Sequence, residues 1–303
     1  MPKSTVLIAG PTASGKTGLA IKIAEHIGGT IINADALQVY TKWRVLTARP
    51  TDAELARAPH HLYGHVDEHR EYSVGEWIRE VSDVLKSTDK PAVIIGGTGL
   101  YFSALLNGLS EIPPITPEIR AAGDEHRVRD GAPWFQQILS LNDPETFAKL
   151  DQNNPARLQR AWEVLEATGK GLSYWHARPT RSTLSLEDTT PILLKWHPDD
   201  LNNRIDMRFD MMMDLGAVEE CEAAKTAGFN AKLPANRAIG ASEIIDALYG
   251  NITMQDAVIK SKTLTHQFAK RQRTWFRSKM RSWQQIDMSD TPDLDAFVKA
   301  LPR

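Results

Sequence analysis

The fold is decided by the stretch Gly10-Pro-Thr-Ala-Ser-Gly-Lys-Thr17, a complete phosphate-binding loop of the pattern G-x-x-x-x-G-K-[ST]. The apolar run Val6–Ala9 before it predicts a buried strand, and residues 18–26 after it have the apolar spacing of a helix. A strand, a glycine-bearing turn and a helix direct backbone N–H groups and the positive end of the helix dipole at one anion. The sequence therefore predicts a polyphosphate site.

Two residues at the end of the loop have separate predicted roles. Lys16 is expected to reach the terminal phosphates, and the Thr17 hydroxyl to bind Mg²⁺. The whole loop is expected to contact the phosphates through Gly10, Pro11, Thr12, Ala13, Ser14, Gly15, Lys16 and Thr17. The motif leaves the ligand open, because such a loop holds a diphosphate with or without a nucleoside.

Composition narrows the setting of this site. The chain has 303 residues and a net charge of −2, and Cys221 is its one cysteine, so no disulfide framework is possible. A reducing cytosol is the compartment that this cysteine usage favours, and we expect a cytoplasmic protein. The N-terminal stretch lacks the pattern of a signal peptide, and no apolar run approaches the roughly 20 residues that cross a bilayer. We expect no membrane association.

The order of predicted elements indicates an α/β protein. Strands are predicted at Val6–Ala9, Thr30–Asn33, Ala92–Ile95 and Ile192–Trp196, separated by helical segments, which is typical of a parallel sheet with crossover helices. We predict a P-loop NTPase-like parallel sheet flanked by helices, with residues 1–112 as the first part of the core. Residues 113–190 are predicted as a helical insertion domain, and residues 191–303 complete the core with basic C-terminal helices.

Polar residues after two strands are candidates for chemistry. Asp35 follows the second strand, whose carboxyl end faces the ligand crevice in such sheets, so it is the candidate general base. Capping of the next helical turn is its structural alternative. The third strand runs into Gly96-Gly-Thr-Gly99 and has no carboxylate to help hold Mg²⁺, which weakens an ATPase interpretation. This stretch permits close approach of another molecule, with a plain glycine turn as the alternative.

The last long helix, predicted from about Met254 to Trp283, carries strong positive charge. Residues 260–281 contain eight Lys or Arg and no Asp or Glu. A stripe along one helix face contains Lys262, His266, Lys270, Arg273, Arg277 and Arg281, spaced by three or four residues. A solvated charged face is the simple alternative, but a long acid-free stripe near a phosphate site favours a polyanion, and nucleic acid above all.

Several motifs together resemble the tRNA dimethylallyltransferase (isopentenyltransferase) family, and they occur in family order across nearly the whole chain. In the first half they are Gly10–Thr17, Asn33-Ala-Asp-Ala-Leu-Gln-Val-Tyr40, Thr47-Ala-Arg-Pro50, Pro59-His-His-Leu62 and Gly96-Gly-Thr-Gly-Leu-Tyr101. In the second half they are Arg157-Leu-Gln-Arg-Ala-Trp-Glu-Val164, Thr168-Gly-Lys170, Ala238-Ile-Gly240, Ala269-Lys-Arg-Gln272 and Thr274-Trp275. Departures from the family pattern occur at Ala36, Leu46, Arg49 and Ala241.

The resemblance implies transfer of a dimethylallyl group from dimethylallyl diphosphate to N6 of the adenosine just 3′ of the anticodon, in tRNAs that read codons beginning with U. It implies Mg²⁺ as cofactor, the tRNA anticodon stem-loop as partner and a monomeric enzyme. Catalytic roles fall on Asp35, Thr98 and Lys16. The implied tRNA contacts are Asp35, Ala36, Leu37, Gln38, Thr98, Arg120, Ala156, Arg157, Leu158, Gln159, Arg160, Lys270, Arg273 and Arg277.

Two other functions explain part of the sequence. A small-molecule P-loop kinase accounts for Gly10–Thr17 but leaves the basic helix and Gly96–Tyr101 without a role. A non-catalytic or ATP-driven RNA-binding module accounts for the basic helix and predicts that RNA binding survives Asp35→Ala with no chemistry lost.

Overall fold

The phosphate-binding unit forms as its sequence pattern predicts. In the computed structural model, which describes residues 5–301, strand β1 (Thr5–Ala9) is buried along its whole length. Helix α1 (Lys16–Ile27) follows after Gly15, whose φ of 87° lies in the left-handed region that a side chain disfavours. The helix ends at Gly28, also left-handed, whose N–H is accepted by the carbonyl of Ala24.

A parallel sheet forms the centre of the α/β unit. The described residues contain six strands in the order β3-β2-β4-β1-β5-β6, and every pairing is parallel. The bounds of the other strands are β2 Thr30–Asn33, β3 His60–His61, β4 Ala92–Gly96, β5 Thr189–Lys195 and β6 Gln284–Asp287. The four predicted strands are confirmed, whereas β3 and β6 were not predicted, because two and four residues at the sheet edges give little periodicity.

Helices cover both faces of this sheet. On one face, Ile8 and Ile95 pack with Leu19 and Ile23 of α1. The alternate residues Leu7 and Ile94 face the other side. There they pack with helices α3 (Val74–Ser87) and α4 (Gly99–Asn107), while the short α2 (Asp52–Leu55) lies in the connection before β3. The predicted α/β architecture is therefore observed.

The chain divides into two compact units, of which the second, Asn107–Ser182, is helical. Its helices are α5 Pro117–Arg129, α6 Gly131–Asn142, α7 Pro144–Lys149, α8 Pro155–Thr168 and α9 Leu172–His176. They enclose a separate core around Phe135, Leu139, Leu158 and Trp162.

The bounds of this unit differ from the predicted insertion, 113–190, at both ends. Leu105, near the end of α4, accepts hydrogen bonds from the backbone N–H groups of Thr183 and Leu184. Strand β5 already begins at Thr189. The last residues of the predicted insertion are therefore held by the sheet and α4 through main-chain hydrogen bonds, which composition alone does not reveal.

The C-terminal part of the chain returns to the first unit as helices. These are α10 Pro198–Asp214, α11 Ala217–Thr226, α12 Ala241–Leu248, the long α13 Met254–Lys279 and α14 Leu294–Lys299. Helix α13 ends at Lys279, earlier than predicted, and β6 follows it. Among the residues that the structure describes, none of these or the earlier helices combines the length and the hydropathy that a bilayer span requires.

We predict that Gly96→Ala destabilises the protein by about 3 kcal/mol or more, because a Cβ there would lie 2.0 Å from the backbone oxygen of Ala34. Urea unfolding measures this change. Gly18→Ala in α1 is the matched control, since a Cβ at Gly18 meets nothing within 4 Å, and we expect it to be neutral or slightly stabilising. Equal stability of the two variants would contradict the prediction.

Candidate active site

The carboxyl ends of β1, β2 and β4 bring the predicted site residues to one edge of the sheet. A cavity of about 420 Å³ opens there. Its polar lining includes Thr12, Asp35, Thr98 and Arg208. Apolar side chains line the rest: Leu37, Leu46, Ile205, Phe209, Met212, Ile239, Phe268, Trp275 and Phe276. The site thus combines a phosphate-binding loop and a carboxylate with an apolar enclosure.

The phosphate-binding loop is closed around its own lysine. The Lys16 ammonium donates to the carbonyl of Pro11 at 2.7 Å and lies 3.5 Å from the Ser14 hydroxyl. Ala13 adopts a positive φ of 60°, which helps turn the loop tightly. A second cavity of about 320 Å³ adjoins the loop and is lined by residues 13–17 with Arg204, Met207, Arg208 and Met211. This cavity has the position expected for a polyphosphate.

Two arginines of α10 complete this site and were not predicted individually. Arg204 Nε donates to the carbonyl of Ala13 at 3.0 Å, and Arg208 donates to the Thr12 hydroxyl at 3.0 Å. Trp196 stacks on the Arg204 guanidinium at 4.5 Å and donates through its indole N–H to Ser14 O. The i, i+4 spacing of the arginines on a predicted helix was the available signal. The loop is therefore surrounded by positive charge.

Burial changes the ionisation of this cluster. Desolvation lowers the pKa of Lys16 to about 7; the Asp35 carboxylate opposes this shift, and the Arg208 guanidinium adds to it. Burial likewise lowers the pKa of Arg208, again against the effect of Asp35. Both shifts show that burial removes water from these cations and that Asp35 only partly compensates for this loss. An anion bound on the loop would favour their charged forms.

Asp35 and Thr98 are held side by side by main-chain hydrogen bonds. Asp35 N–H donates to Asn33 Oδ1 at 2.9 Å, and Asp35 Oδ1 accepts the N–H of Leu37 at 3.0 Å. The Thr98 hydroxyl accepts the N–H of Ala36 at 3.0 Å. Asp35 keeps Oδ2 toward Gly97, where a Cβ would lie only 3.4 Å from it. The backbone of Asp35 is therefore fixed by hydrogen bonds, while one of its carboxylate oxygens lies at the cavity.

Gln38 is committed to a neighbouring loop. Its side-chain amide donates to the carbonyls of Thr47 and Ala48 at 2.8 and 3.0 Å. Thr47 lines the cavity with Ala36 and Leu37. The structure therefore places Ala36 and Leu37 at the cavity directly, and it gives Gln38 a supporting position in which its amide nitrogen has no further proton to donate.

Helix α13 separates two surfaces at this edge. Phe268, Arg271 and Trp275 face the cavity with Asp35. Another part of the helix, with Lys270, Arg273 and Arg277, lines a different groove of about 560 Å³ that also includes Arg281, Lys195 and Trp196. We call this second surface the basic groove. It begins beside Pro11 of the phosphate-binding loop.

The charged stripe predicted on α13 has two parts, one with acidic partners and one without. Lys262 forms an ion pair with Asp210 at 2.7 Å, and His266 contacts Asp206 at 2.8 Å. Within residues 5–301, no carboxylate lies within ion-pair distance of Lys270, Arg273, Arg277 or Arg281. The free positive charge is therefore confined to the C-terminal part of the stripe, at the basic groove.

The remaining predicted tRNA contacts lie on the helical unit and differ in exposure. Ala156, Arg157 and Arg160 on α8 and Arg120 on α5 are exposed. Leu158 is fully buried in the core of that unit, and Gln159 is buried with its amide donating to Asp124 and Glu163. Direct contact with a polyanion is thus available to the exposed residues, while Leu158 and Gln159 hold the helix in place.

The fold and the site define a P-loop α/β protein with an apolar cavity beside its phosphate site. The family model described as IPP transferase matches residues 38–279, and the one described as isopentenyl transferase matches residues 3–65. A tRNA dimethylallyltransferase of Cereibacter sphaeroides is 51% identical over 93% of this chain and 88% of its own length. The chain belongs to the tRNA dimethylallyltransferase family.

Solved structures agree with this assignment. The tRNA isopentenylpyrophosphate transferase of Bacillus halodurans aligns with a TM-score of 0.69 at 29% identity, covering 98% of this chain and 93% of that one. A eukaryotic dimethylallyltransferase, whose structure was determined acting on tRNA, aligns with a TM-score of 0.81 at 26% identity. That alignment covers 96% of this chain and 76% of the eukaryotic one. The family predicted from the motifs is confirmed.

We predict that inorganic diphosphate binding takes up a proton on Lys16 near pH 8.5. The pKa of about 7 leaves the free amine mostly neutral there, and a bound anion favours its charged form. Calorimetry in buffers of different ionisation enthalpy measures the uptake. Lys16→Arg, which stays charged, is the control, and we expect the wild type to take up more protons by roughly one per site. Equal uptake would contradict the assignment.

Proposed function

We propose that this protein transfers the dimethylallyl group of dimethylallyl diphosphate to N6 of the adenosine 3′ of the anticodon, in tRNAs that read codons beginning with U. Membership of the family supports dimethylallyl transfer to tRNA as the reaction. The observation that carries the proposal is the cavity in which Asp35 and Arg208 share one apolar enclosure beside the phosphate-binding loop. A kinase has no need of such an enclosure for a hydrocarbon group.

The first part of the reaction is loss of the diphosphate. The C–O bond between the allylic carbon and the diphosphate breaks, the electron pair leaves with oxygen, and positive charge develops on the carbon. Lys16, Arg204 and Arg208 surround the loop, so they can neutralise the leaving group as its charge grows. The apolar wall excludes water, which would otherwise capture the allylic carbon.

The second part is formation of the N–C bond. An exocyclic adenine amine is a poor nucleophile because its lone pair is delocalised into the ring. In the proposal, N6 attacks the allylic carbon and its proton passes to Asp35, whose Oδ2 faces the cavity. The Thr98 hydroxyl accepts from Ala36 N–H, so its own proton is available to hydrogen-bond near the reacting centre. The products are N6-dimethylallyladenosine and diphosphate.

Mg²⁺ is the proposed cofactor. Thr17 begins α1 and lines the phosphate cavity, and its hydroxyl is a hard oxygen ligand that suits this ion. Groups of three or more His, Cys, Asp or Glu that could hold a metal do not occur among the described residues. The site therefore fits an ion held by one hydroxyl, substrate phosphate oxygens and water. When bound, the ion supplies additional neutralisation of the diphosphate.

The tRNA is proposed to present its anticodon loop with the target base out of the stack, because the acceptor must reach a cavity inside the protein. Asp35, Ala36, Leu37 and Thr98 line the cavity, so we propose that they contact the base. Gln38 is proposed to act through the neighbouring loop, whose Thr47 and Ala48 carbonyls accept its amide protons. The backbone phosphates are proposed to bind the basic groove and the exposed residues Arg120, Ala156, Arg157 and Arg160. We propose a cytoplasmic monomer, since tRNA is the substrate and one chain supplies both the phosphate loop and the carboxylate.

We predict that Asp35→Ala lowers the turnover number for transfer by about 10² or more while tRNA affinity is retained, because the proton acceptor is lost. Transfer of radiolabelled dimethylallyl diphosphate to unmodified tRNA, followed by nucleoside analysis, measures turnover. Asp35→Asn keeps an oxygen for the Leu37 N–H, so it separates loss of the base from loss of local structure. Unchanged turnover in either variant would remove Asp35 as the base.

We predict that Lys270→Ala and Arg277→Ala each weaken tRNA binding and reduce the slope of log affinity against log salt by about one phosphate contact. Filter binding from 50 to 300 mM salt, a range chosen to resolve roughly one contact, gives the slope. Lys260→Ala is the matched control on the same helix, because Lys260 already pairs with Glu243 at 3.6 Å. An equal change in the control would show a general charge effect and contradict a specific role for the groove.

A further inference from the structure

One buried amide joins the two halves of the active site. Gln272, on α13, is only 6% exposed. Its Oε1 accepts the N–H of Thr12 in the phosphate-binding loop at 2.9 Å. Its Nε2 donates to the carbonyl of Gly97, in the loop after β4, at 3.0 Å. A residue far from both loops in sequence therefore binds the backbone of each.

The surroundings of Gln272 leave little room for a different side chain at this position. A Cβ on Gly97 would lie 2.4 Å from Nε2, so the absence of a side chain at Gly97 lets the amide reach the carbonyl. Ala269 and Phe276, one helical turn away on either side, are buried and anchor this face of α13. Among side chains of this length, glutamine alone offers both the acceptor that Thr12 requires and the donor that Gly97 requires.

The hydrogen bonds continue from Gly97 to the proposed base. Thr98, the next residue, donates its N–H to Ala34 O at 3.3 Å and accepts the N–H of Ala36 on its hydroxyl. Asp35 lies between these two partners. On the other side, the Thr12 hydroxyl accepts from Arg208, which lines both cavities. Hydrogen bonds and adjacent main chain thus connect the phosphate-binding loop to the backbone on both sides of Asp35.

We propose that Gln272 is a positioning residue that sets the distance between the diphosphate held on the loop and the acceptor held by Asp35 and Thr98. The inference rests on the proposed function, because it gives the two loops separate substrates. A displacement of about 1 Å between reacting groups can cost on the order of 10² in rate. Loss of the amide is therefore expected to slow the chemical step more than it weakens the binding of either substrate.

The first test is Gln272→Met, which keeps the length of the side chain and removes both hydrogen bonds. We expect kcat for dimethylallyl transfer to fall about 10- to 100-fold, with KM for dimethylallyl diphosphate changed less than about threefold. Gln267→Met on the exposed side of the same helix is the matched control, with expected wild-type kinetics. A variant within twofold of that control, or one that changes KM alone, overturns the proposal.

The second test is Gln272→Glu, which separates positioning from a general packing role. A glutamate accepts from Thr12 but donates to Gly97 O only when protonated. The charged groups that line the adjoining cavities, Lys16, Asp35, Arg208 and Arg271, are present in the wild type as well. The ratio of variant to wild-type kcat is therefore measured beside the same ratio for Gln272→Met, which adds no carboxyl group to interact with them. We expect the ratio for Gln272→Glu to rise as the pH falls from 8 to 5.5, because this range roughly spans the pKa of a buried carboxyl group and the carboxyl becomes protonated within it. A ratio that stays constant with pH overturns the hydrogen-bond role of Gln272. This outcome decides the question even if Gln272→Met does not fold.

A measurement without the reaction separates this inference from the proposed function. Inorganic diphosphate on the wild-type loop is expected to slow amide hydrogen exchange in residues 96–101 through Gln272. In Gln272→Met that protection is expected to be lost, while diphosphate still protects residues 10–17. Protection of 96–101 in the variant overturns the inference, whereas absence of transfer by the wild-type protein with competent tRNA overturns only the proposed function.

Discussion

The concentration of positive charge around one turn of backbone is the constraint on which the rest of this structure depends. Lys16, Arg204 and Arg208 converge on residues 11–17, where carbonyl and hydroxyl oxygens of the loop hold them. Neutral oxygens only partly replace water around buried cations, and the lowered pKa of Lys16 records the remaining deficit. The site is therefore organised for a strong anion before the anion arrives, as the proposed loss of diphosphate requires.

That constraint explains why the C-terminal helices return to the sheet edge. Helix α10 supplies the two arginines, and α13 closes the crevice with Gln272 on one face and the basic groove on another. Because Gln272 and the groove residues lie on the same helix, a single rigid element fixes the positions of the phosphate site, the cavity and the groove relative to each other. The acidic partners Asp206 and Asp210 of α10 pair with His266 and Lys262 in the first part of α13, so within residues 5–301 the stripe residues without a carboxylate partner are those that line the groove.

Much of the α/β fold could be predicted because its signals are local. The strands around Leu7, Ile32, Ile94 and Leu193 are short apolar runs, and the loop Gly10–Thr17 has a spacing that few other structures require. Strands β3 and β6 were not predicted, since their pairing with β2 and β5 depends on neighbours that are distant in sequence. Leu158 and Gln159 were predicted as tRNA contacts from a motif, and the structure shows their side chains buried.

The sequence by itself determined the class of fold, the phosphate-binding loop, the candidate base and the family, because each is written in adjacent residues or in short motifs in a set order. Only the tertiary structure decided which positive charges remain unpaired, which arginines reach the loop, and that Gln272 joins Thr12 to Gly97. The physical reason is that charge pairing, burial and hydrogen bonding between separate elements depend on distance in space. A linear spacing, however regular, does not specify which partner each side chain meets.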